Sequence, residues 1–433
     1  MAIQALLVIL AVLLVLLFLG VPISYAIAVS SLTAILSSID LNVAVLTAAQ
    51  RTFVGMSKFS LTAIPFFILA GNIMNQGGIA KRLVDFVMAI LGKMPGALLV
   101  TNIGTNALFG AISGSASAAA AAVGSMIRDG ADEQGYDPAV TAATNAASSC
   151  SGLLIPPSNA LITYSLASGG TSVAALFMAG YIPGIIWALC CCVVGVLLAI
   201  KLGYKGTPGK FDWKNLGVCT LRALPSLSLI IVVIGGIIGG VFSATEGSAI
   251  AVVYALILAF CYRSINLKSL WKIIVDSAKM SGMVVFLVGV SNILGWVMAF
   301  LQIPDAVAAA LLSLTSNKYI ILLIMNVILL VSGTFMDVTP AILIFTPLFL
   351  PICQSFGMST IQFGLILVYN LCIGNITPPV GSALFSGCSV ADMDMEDMIK
   401  PILPFYAAIF VALMLVAYVP WFSMALPTLF GAV

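Results

Sequence analysis

Two stretches of the chain, Ser151-Gly-Leu-Leu-Ile-Pro-Pro-Ser158 and Ile373-Gly-Asn-Ile-Thr-Pro-Pro-Val380, share a glycine four residues before a pair of prolines. Proline has no backbone N–H, and its ring clashes with the carbonyl four residues earlier, so two in succession break a helix. Each break frees backbone carbonyls before it and creates a new helix N-terminus after it. The two stretches therefore predict two broken helices, at residues 138–168 and 361–390.

A short tip rich in small polar residues lies upstream of each break, at residues 110–117 and 331–337. The apolar segments beside these tips are short, which predicts two helical hairpins that enter the membrane and return, at residues 95–128 and 317–356. Gly114 and Gly333 stand at similar distances from their breaks, so we pair them. A packing kink could explain one Pro-Pro pair, but matched pairs beside matched hairpins indicate an internal repeat.

The composition requires a membrane for most of the chain. Of its 433 residues, 62% are hydrophobic and 7% are charged, whereas a soluble domain has about 25% charged residues. Many apolar runs reach the roughly 20 residues of a membrane span, which excludes a single-pass anchor. We interpret the first run as a retained helix, because no basic residue precedes it. Since the sequence has no histidine, we expect neither an enzyme nor an organic cofactor.

Basic residues set the expected orientation, because Lys and Arg concentrate in cytoplasmic loops. Two basic loops, at residues 201–222 and 263–279, are separated by two apolar spans and so lie on one side. With both inside, 14 of the 17 basic residues are cytoplasmic: Lys81, Arg82, Lys93, Arg128, Lys201, Lys205, Lys210, Lys214, Arg222, Arg263, Lys268, Lys272, Lys279 and Lys400. Arg51, Lys58, Lys318 and both termini then lie in the periplasm. The hairpins open from opposite faces, so the repeats are inverted, as alternating access requires.

Three charged segments do not fit as membrane spans, at residues 40–58, 81–93 and 266–279. Each combines an apolar run with several charges. We interpret them as amphipathic helices that lie along the membrane interface. Ordinary loops outside the membrane are the alternative.

Asp337 is the notable acidic residue of the tips. A carboxylate at membrane depth is costly and marks an ion path, although an Asp before a helix also acts as an N-cap. No Lys or Arg lies in the tips or broken segments, so hydroxyls, amides and helix N-termini would hold an anionic substrate. The side chains that supply this chemistry are Ser113, Ser115, Ser117, Thr334, Asn375 and Thr377. Such oxygen-rich surroundings suit Na⁺, and we predict sodium coupling rather than proton coupling.

With these features the chain resembles the large membrane subunit of TRAP (tripartite ATP-independent periplasmic) transporters over essentially its whole length. The resembling stretches are residues 64–71, 110–122, 152–158, 244–246, 333–337 and 374–381. The resemblance implies an all-α, multi-pass protein of the bacterial inner membrane with an elevator mechanism, similar to the sodium/dicarboxylate symporter fold. It also implies two protein partners, a separate small four-helix membrane subunit and a soluble periplasmic substrate-binding protein, and no nucleic acid.

Combined with the repeat, the resemblance divides the chain into a scaffold, at residues 1–93 and 201–316, and a transport domain, at residues 94–200 and 317–433. The family's first sodium site implies Ser113, Ser115, Gly152, Ile155 and Pro157. Its second sodium site implies Gly333, Asp337, Gly374, Thr377 and Pro379. We expect two or more coupled sodium ions, and we predict substrate contacts at Ser117, Thr334 and Asn375. The first tip has no acidic residue to match Asp337, so the two sites need not be equivalent.

These features predict sodium-coupled uptake of an organic acid that a binding protein delivers. A standalone sodium/carboxylate symporter is the runner-up, since it would share the hairpins and breaks but need no protein partner. A membrane enzyme lacks its acid–base residues here, and a channel does not need two inverted broken sites. Sialic acid, C4-dicarboxylates and sugar acids all remain open as substrates, with sialic acid slightly favoured by the overall resemblance.

Overall fold

The computed structural model describes residues 2–206, 211–315 and 317–432, and all regular secondary structure in these ranges is helical. The first half contains α1 (Ala2–Phe18), α2 (Ile23–Ile35), α3 (Leu41–Met56), a 3-10 turn (Phe59–Thr62), α4 (Ala63–Gln76), α5 (Ile79–Leu91), α6 (Ala97–Ser113), α7 (Ala116–Glu133), α8 (Pro138–Ser149), α9 (Ser151–Leu154), α10 (Asn159–Ala167) and α11 (Val173–Leu202). The second contains α12 (Trp213–Ile238), α13 (Ala244–Cys261), α14 (Leu267–Phe300), α15 (Ile303–Leu314), α16 (Lys318–Phe335), α17 (Val338–Ser355), α18 (Thr360–Gly374), α19 (Ser382–Ala391), α20 (Met395–Tyr418) and α21 (Trp421–Leu429). The all-α prediction is confirmed.

Within the described ranges, seven helices are long and apolar enough to cross a membrane, namely α11, α12, α13, α14, α16, α17 and α20. An eighth span is counted if α3 and the 3-10 turn with α4, which meet at a bend of 59°, are taken together. The protein is therefore polytopic, as its composition predicts. Exposed Leu, Ile, Val and Phe side chains cover these helices, and they suit lipid contact.

Helix pairs and helix breaks lie where the repeat predicts them. In the first half, α6 and α7 meet at Gly114, which has φ +61°, and Ser115 caps α7 by accepting from the N–H of Ala118 at 3.4 Å. In the second half, α16 and α17 meet at Met336 and Asp337. The prolines end α9 before Pro156 and separate α18 from α19, and both Pro-Pro bonds are cis. The first hairpin is longer than expected, since α7 continues to Glu133.

The two halves interlock through their hairpins and broken helices. The last part of the second broken helix, α19, packs on α7 of the first hairpin, and the last part of the first broken helix, α10, packs on α17 of the second hairpin. Around them, α2 and α3 pack on α14, α4 packs on α13 and α14, and α12 packs on α5 and α13. This exchange joins both repeats into one core; the division into scaffold and transport domain stays a prediction.

One of the three amphipathic segments differs from the expectation. Residues 266–279 do not form a separate interfacial helix, because they are the first turns of α14, which runs 34 residues without a break. Asn266 and Ser269 start this helix with reciprocal side-chain-to-backbone hydrogen bonds, and no proline follows before its end. The other two segments form the separate helices α3 and α5. Lys210 of the first basic loop lies outside the described residues.

Candidate ion and substrate site

Each hairpin contacts its broken helix through a pair of glycines. A Cβ at Gly152 would lie 2.3 Å from the Cα of Gly110, and a Cβ at Gly374 would lie 2.5 Å from the Cα of Gly333. Both separations are shorter than any real Cβ contact, so only glycine permits this backbone approach. In the internal repeat, the position equivalent to Gly333 is therefore Gly110. The pairing of Gly333 with Gly114 was wrong, because Gly114 forms the turn of its hairpin one helical turn later.

The first tip lies against the first break. A Cβ at Gly114 would lie 3.0 Å from the carbonyl oxygen of Pro157, and the Ser113 hydroxyl donates to the carbonyl of Ser115 at 3.4 Å. Pro156 cannot donate to the carbonyl of Gly152, four residues earlier. Three residues of the first sodium prediction, Ser113, Ser115 and Pro157, thus lie near one another with several carbonyl and hydroxyl oxygens, and oxygen ligands are those that hard cations prefer.

The second tip lies against the second break and adds a carboxylate. The Ser382 hydroxyl is 3.1 Å from a carboxylate oxygen of Asp337 and 2.6 Å from the amide oxygen of Asn375. The N–H of Val380 donates to the carbonyl of Thr334 at 3.1 Å. A Cβ at Gly381 would lie 3.0 Å from the carbonyl oxygens of Asn375 and Thr377, so several oxygens converge beside Asp337.

A cavity of about 180 Å³ lies where the two tips meet, bounded on its other side by α4 and α14. Of the predicted site residues, it brings together Ser113, Ser115, Ser117, Asp337 and Asn375. The cavity is also lined by five polar side chains that the sequence analysis did not single out, namely Asn72, Asn159, Thr163, Thr339 and Ser382. The cavity therefore receives groups from both hairpins and both broken helices.

Other predicted site residues lie outside this cavity. Thr334 and Thr377 line a separate, open groove with Tyr406 and Phe410, between α16, α18 and α20. Their hydroxyls donate to the carbonyls of Val331 and Ile373, at 2.8 Å and 2.6 Å. The remaining predicted residues, Gly152, Ile155, Pro157, Gly333, Gly374 and Pro379, are not among the residues that line the cavity, and they can contribute only backbone carbonyls.

The charge of the cavity is negative. Asp337 is exposed to it, and the residues of the described chain that line it include no Lys or Arg. An anion in this cavity would depend on hydroxyls, amides and helix N-termini, as the sequence predicts.

Sequence reasoning missed Asn159 and Ser382, which are the first residues of the helices that restart after the two breaks. Their signal was available, because each is the first polar residue within the restarted helix. It also missed a buried network in which the Asn106 amide nitrogen lies 2.7 Å from Asn102 Oδ1 and 2.8 Å from Ser148 Oγ. The second half has an equivalent contact, Asn370 to Asn326 at 2.6 Å.

An all-helical polytopic fold with two hairpin tips and two helix breaks around one polar cavity defines a membrane permease. The chain belongs to the family of the DctM component of tripartite ATP-independent periplasmic transporters, whose family model matches residues 10–422. The resemblance that the motifs indicated is thereby confirmed.

Relatives match nearly the whole chain. It is 51% identical to the uncharacterized protein YgiK of Salmonella typhimurium, over 95% of this chain and 94% of the relative. It is 37% identical to the isethionate TRAP transporter permease protein DctMQ of Oleidesulfovibrio alaskensis, over 95% of this chain but only 64% of that longer relative. It is 36% identical to the C4-dicarboxylate TRAP transporter large permease protein DctM of Pseudomonas aeruginosa, over 93% of both chains.

The fold itself is similar to a solved transporter structure. The YdaH transporter of Alcanivorax borkumensis, described as having an unusual topology, matches with a TM-score of 0.63 over 90% of each chain, at 16% sequence identity. At this identity the match concerns the fold alone.

Proposed function

We propose that this chain couples the inward movement of sodium to the uptake of an organic acid across the bacterial inner membrane. The observation that carries the proposal is the cavity between the two tips, where Asp337 and many neutral oxygens surround a space that no basic side chain of the described residues lines. Sodium beside Asp337 would offset its charge, and an acid could then bind in the same cavity. The family membership supports a transport function for this arrangement.

The mechanism that we propose is an elevator movement with alternating access. Residues 94–200 and 317–433 would move as the transport domain against residues 1–93 and 201–316. Two observations support this division: the interlocked hairpins and broken helices and the position of the cavity against α4 and α14. The segregation of basic residues supports the orientation in the membrane. In this orientation both termini are periplasmic.

We propose the class of the substrate, an organic acid, and not a single compound. Two of the relatives are named for isethionate and for C4-dicarboxylates, which carry a sulfonate and carboxylates respectively, and the overall resemblance favoured sialic acid. All three carry an acidic oxyanion, which we propose the hydroxyls, amides and helix N-termini of the cavity bind. We propose that a periplasmic binding protein delivers the acid and that a small membrane subunit completes the transporter.

Uptake into proteoliposomes tests this proposal. The chain is reconstituted with its small subunit, and the binding protein is added outside with labelled L-malate, isethionate or N-acetylneuraminate. We expect uptake of one acid that requires both an inward sodium gradient and the binding protein. Uptake without the binding protein would instead support the standalone symporter, and uptake driven equally by a proton gradient without sodium would contradict sodium coupling.

A further inference from the structure

A second cavity of about 180 Å³ lies at the end of the second hairpin that is remote from its tip. It lies between the start of α16, the turn that joins α17 to α18, and the turn that joins α20 to α21. It shares no lining residue with the central cavity. Because a helix rises about 1.5 Å per residue, Lys318 at the start of α16 lies roughly 25 Å from Phe335 at its end. The second cavity, here called the outer-end cavity, is therefore separate from the proposed ion and substrate site.

Gln362 is the polar side chain of the outer-end cavity that lacks a partner. The residue is only 7% exposed, and it lines the cavity. Its backbone N–H donates to the Ser359 hydroxyl at 3.5 Å, but its side-chain amide has no hydrogen-bond partner in the described part of the chain. Burying an amide without partners costs stability. The two N–H donors of this amide are therefore available to a ligand in the cavity.

The internal repeat shows that the fold does not need a glutamine at this position. Asp137 and Ser359 cap the equivalent helices α8 and α18, and each stands 15 positions before the glycine of its break. The third residue after the cap is Val140 in α8 and Gln362 in α18. Val140 is buried as well, so an apolar side chain satisfies this position in the first half. The amide of Gln362 is a feature of the second half alone.

The outer-end cavity carries a positive charge. Lys318 lines it, and the described residues that line it include no Asp or Glu. Lys318 forms no salt bridge within the described ranges, and its ammonium nitrogen lies 5.3 Å from the centre of the Tyr319 ring. The Tyr418 hydroxyl donates to the carbonyl of Tyr319 at 3.1 Å and joins α20 to α16 beside the cavity. A cation without a counter-charge, together with an amide donor, attracts an oxyanion.

The rest of the wall is largely apolar, which limits the body of such an anion. The apolar side chains include Leu322, Met325, Phe356 and Met358. A sugar acid or a dicarboxylate would place further polar groups against these side chains, at a cost in free energy. The cavity also lies at the ends of α16 and α20, two helices that are long enough to cross the membrane, so an amphiphile dissolved in the bilayer can reach it.

We propose that the outer-end cavity binds an amphiphilic anion, which combines an acidic oxyanion with an apolar chain. Lys318 and the side-chain amide of Gln362 hold the oxyanion, and the apolar wall holds the chain. A free fatty acid and an anionic phospholipid share this chemistry. The site lies outside the proposed transport path, so it goes beyond the proposed function and does not depend on which acid is transported.

The test measures the binding of radiolabelled octanoate to the purified chain in phosphatidylcholine nanodiscs, with empty nanodiscs as the blank. The variants are Lys318→Ala and Gln362→Val, and the second copies the residue that the first half has at Val140. Lys58→Ala is the matched control, because Lys58 is also exposed but does not line the cavity. The Tm of each variant reports whether it folds.

We expect saturable binding of octanoate to the native chain. Lys318→Ala should raise the Kd roughly ten- to hundredfold, as for the loss of a charge-assisted hydrogen bond, and Gln362→Val should raise it about tenfold. Lys58→Ala should keep the native Kd. Unlabelled 1-octanol should compete far more weakly than octanoate, because it has the chain but not the oxyanion.

Native mass spectrometry distinguishes the two sources of the anion. The chain is released from nanodiscs that contain phosphatidylcholine and phosphatidylglycerol. Phosphatidylglycerol that the native chain and Lys58→Ala retain, and that Lys318→Ala and Gln362→Val lose, would identify an anionic phospholipid as the ligand. Octanoate binding without retained phosphatidylglycerol would identify a free fatty acid.

Three results would each overturn the proposal. The first is a native chain that neither binds octanoate above the empty nanodiscs nor retains phosphatidylglycerol. The second is native affinity for octanoate and native retention of phosphatidylglycerol in folded Lys318→Ala and Gln362→Val. The third is competition by 1-octanol that equals competition by octanoate, since it would show an apolar cavity that does not recognise the charge.

Discussion

Gly110 of α6 and Gly152 of α9 touch backbone to backbone, so that a Cβ on Gly110 would lie 2.4 Å from the Cα of Gly152. Gly333 and Gly374 repeat this contact in the second half. The spacing is also conserved within the chain, since Gly110 precedes Gly152 by 42 positions and Gly333 precedes Gly374 by 41. Two identical contacts between hairpin and broken helix support duplication of one structural unit, and they fix how closely each tip can approach its break.

Gly152→Ala should therefore separate the first hairpin from its broken helix. The added methyl group would meet backbone, which cannot rotate away as a side chain can, and overpacking of this kind costs about 1–3 kcal/mol. We expect a lower Tm in detergent and loss of uptake. Gly282→Ala is the matched control, because a Cβ at Gly282 of α14 meets nothing within 4 Å. Equal Tm values for both variants would contradict the contact.

Asp337→Asn should weaken sodium activation of uptake by about tenfold or more, because it removes the carboxylate charge at the second tip while preserving its shape. The measurement is the sodium concentration for half-maximal uptake in proteoliposomes. Asp276→Asn is the control, since Asp276 is exposed and its nearest cation, Lys279, is 3.9 Å away. Unchanged sodium activation in Asp337→Asn would remove Asp337 from the ion path.

Asn106→Leu should destabilise the core of the first hairpin by about 3 kcal/mol, because it strips partners from several buried groups at once. The Asn106 amide nitrogen lies within 3.0 Å of oxygens of Asn102, Asn145 and Ser148. Thermal unfolding in detergent measures the loss. Asn42→Leu, an exposed position on α3, should leave the Tm nearly unchanged, and a similar change in both variants would show that this network contributes little.

Cys261 offers a test of orientation without any engineered label. It is the exposed cysteine at the end of α13, while the other eight described cysteines are buried or partly buried. It precedes the basic loop that begins at Arg263, so we expect it in the cytoplasm. A membrane-impermeant maleimide should label it in inside-out vesicles and not in intact spheroplasts, and Cys261→Ser should abolish the signal. Labelling of spheroplasts would reverse the topology.

The sequence could predict the elements because proline and glycine act locally. The Pro-Pro pairs mark both breaks, and Gly114 provides the left-handed turn of the first tip. Contacts between elements were harder to predict, because they depend on how each helix is rotated about its axis. Only the packing of α6 against α9 shows that Gly110, and not Gly114, is the position equivalent to Gly333. The prediction of a separate interfacial helix at residues 266–279 was wrong for another reason. Charge alone does not end a helix, and α14 continues through these residues.

The same dependence on helix rotation separates two residues that the sequence predicted together as substrate contacts. Ser117 lines the central cavity, where its hydroxyl is 3.3 Å from that of Ser115. Thr334 lines the outer groove and directs its hydroxyl to the carbonyl of Val331. Ser117→Ala should therefore raise the KM for the transported acid several-fold more than Thr334→Val does. The measurement is uptake at saturating sodium across a range of substrate concentrations. A larger effect at Thr334 would mean that the acid binds at the outer groove, and it would move the substrate site away from the two tips.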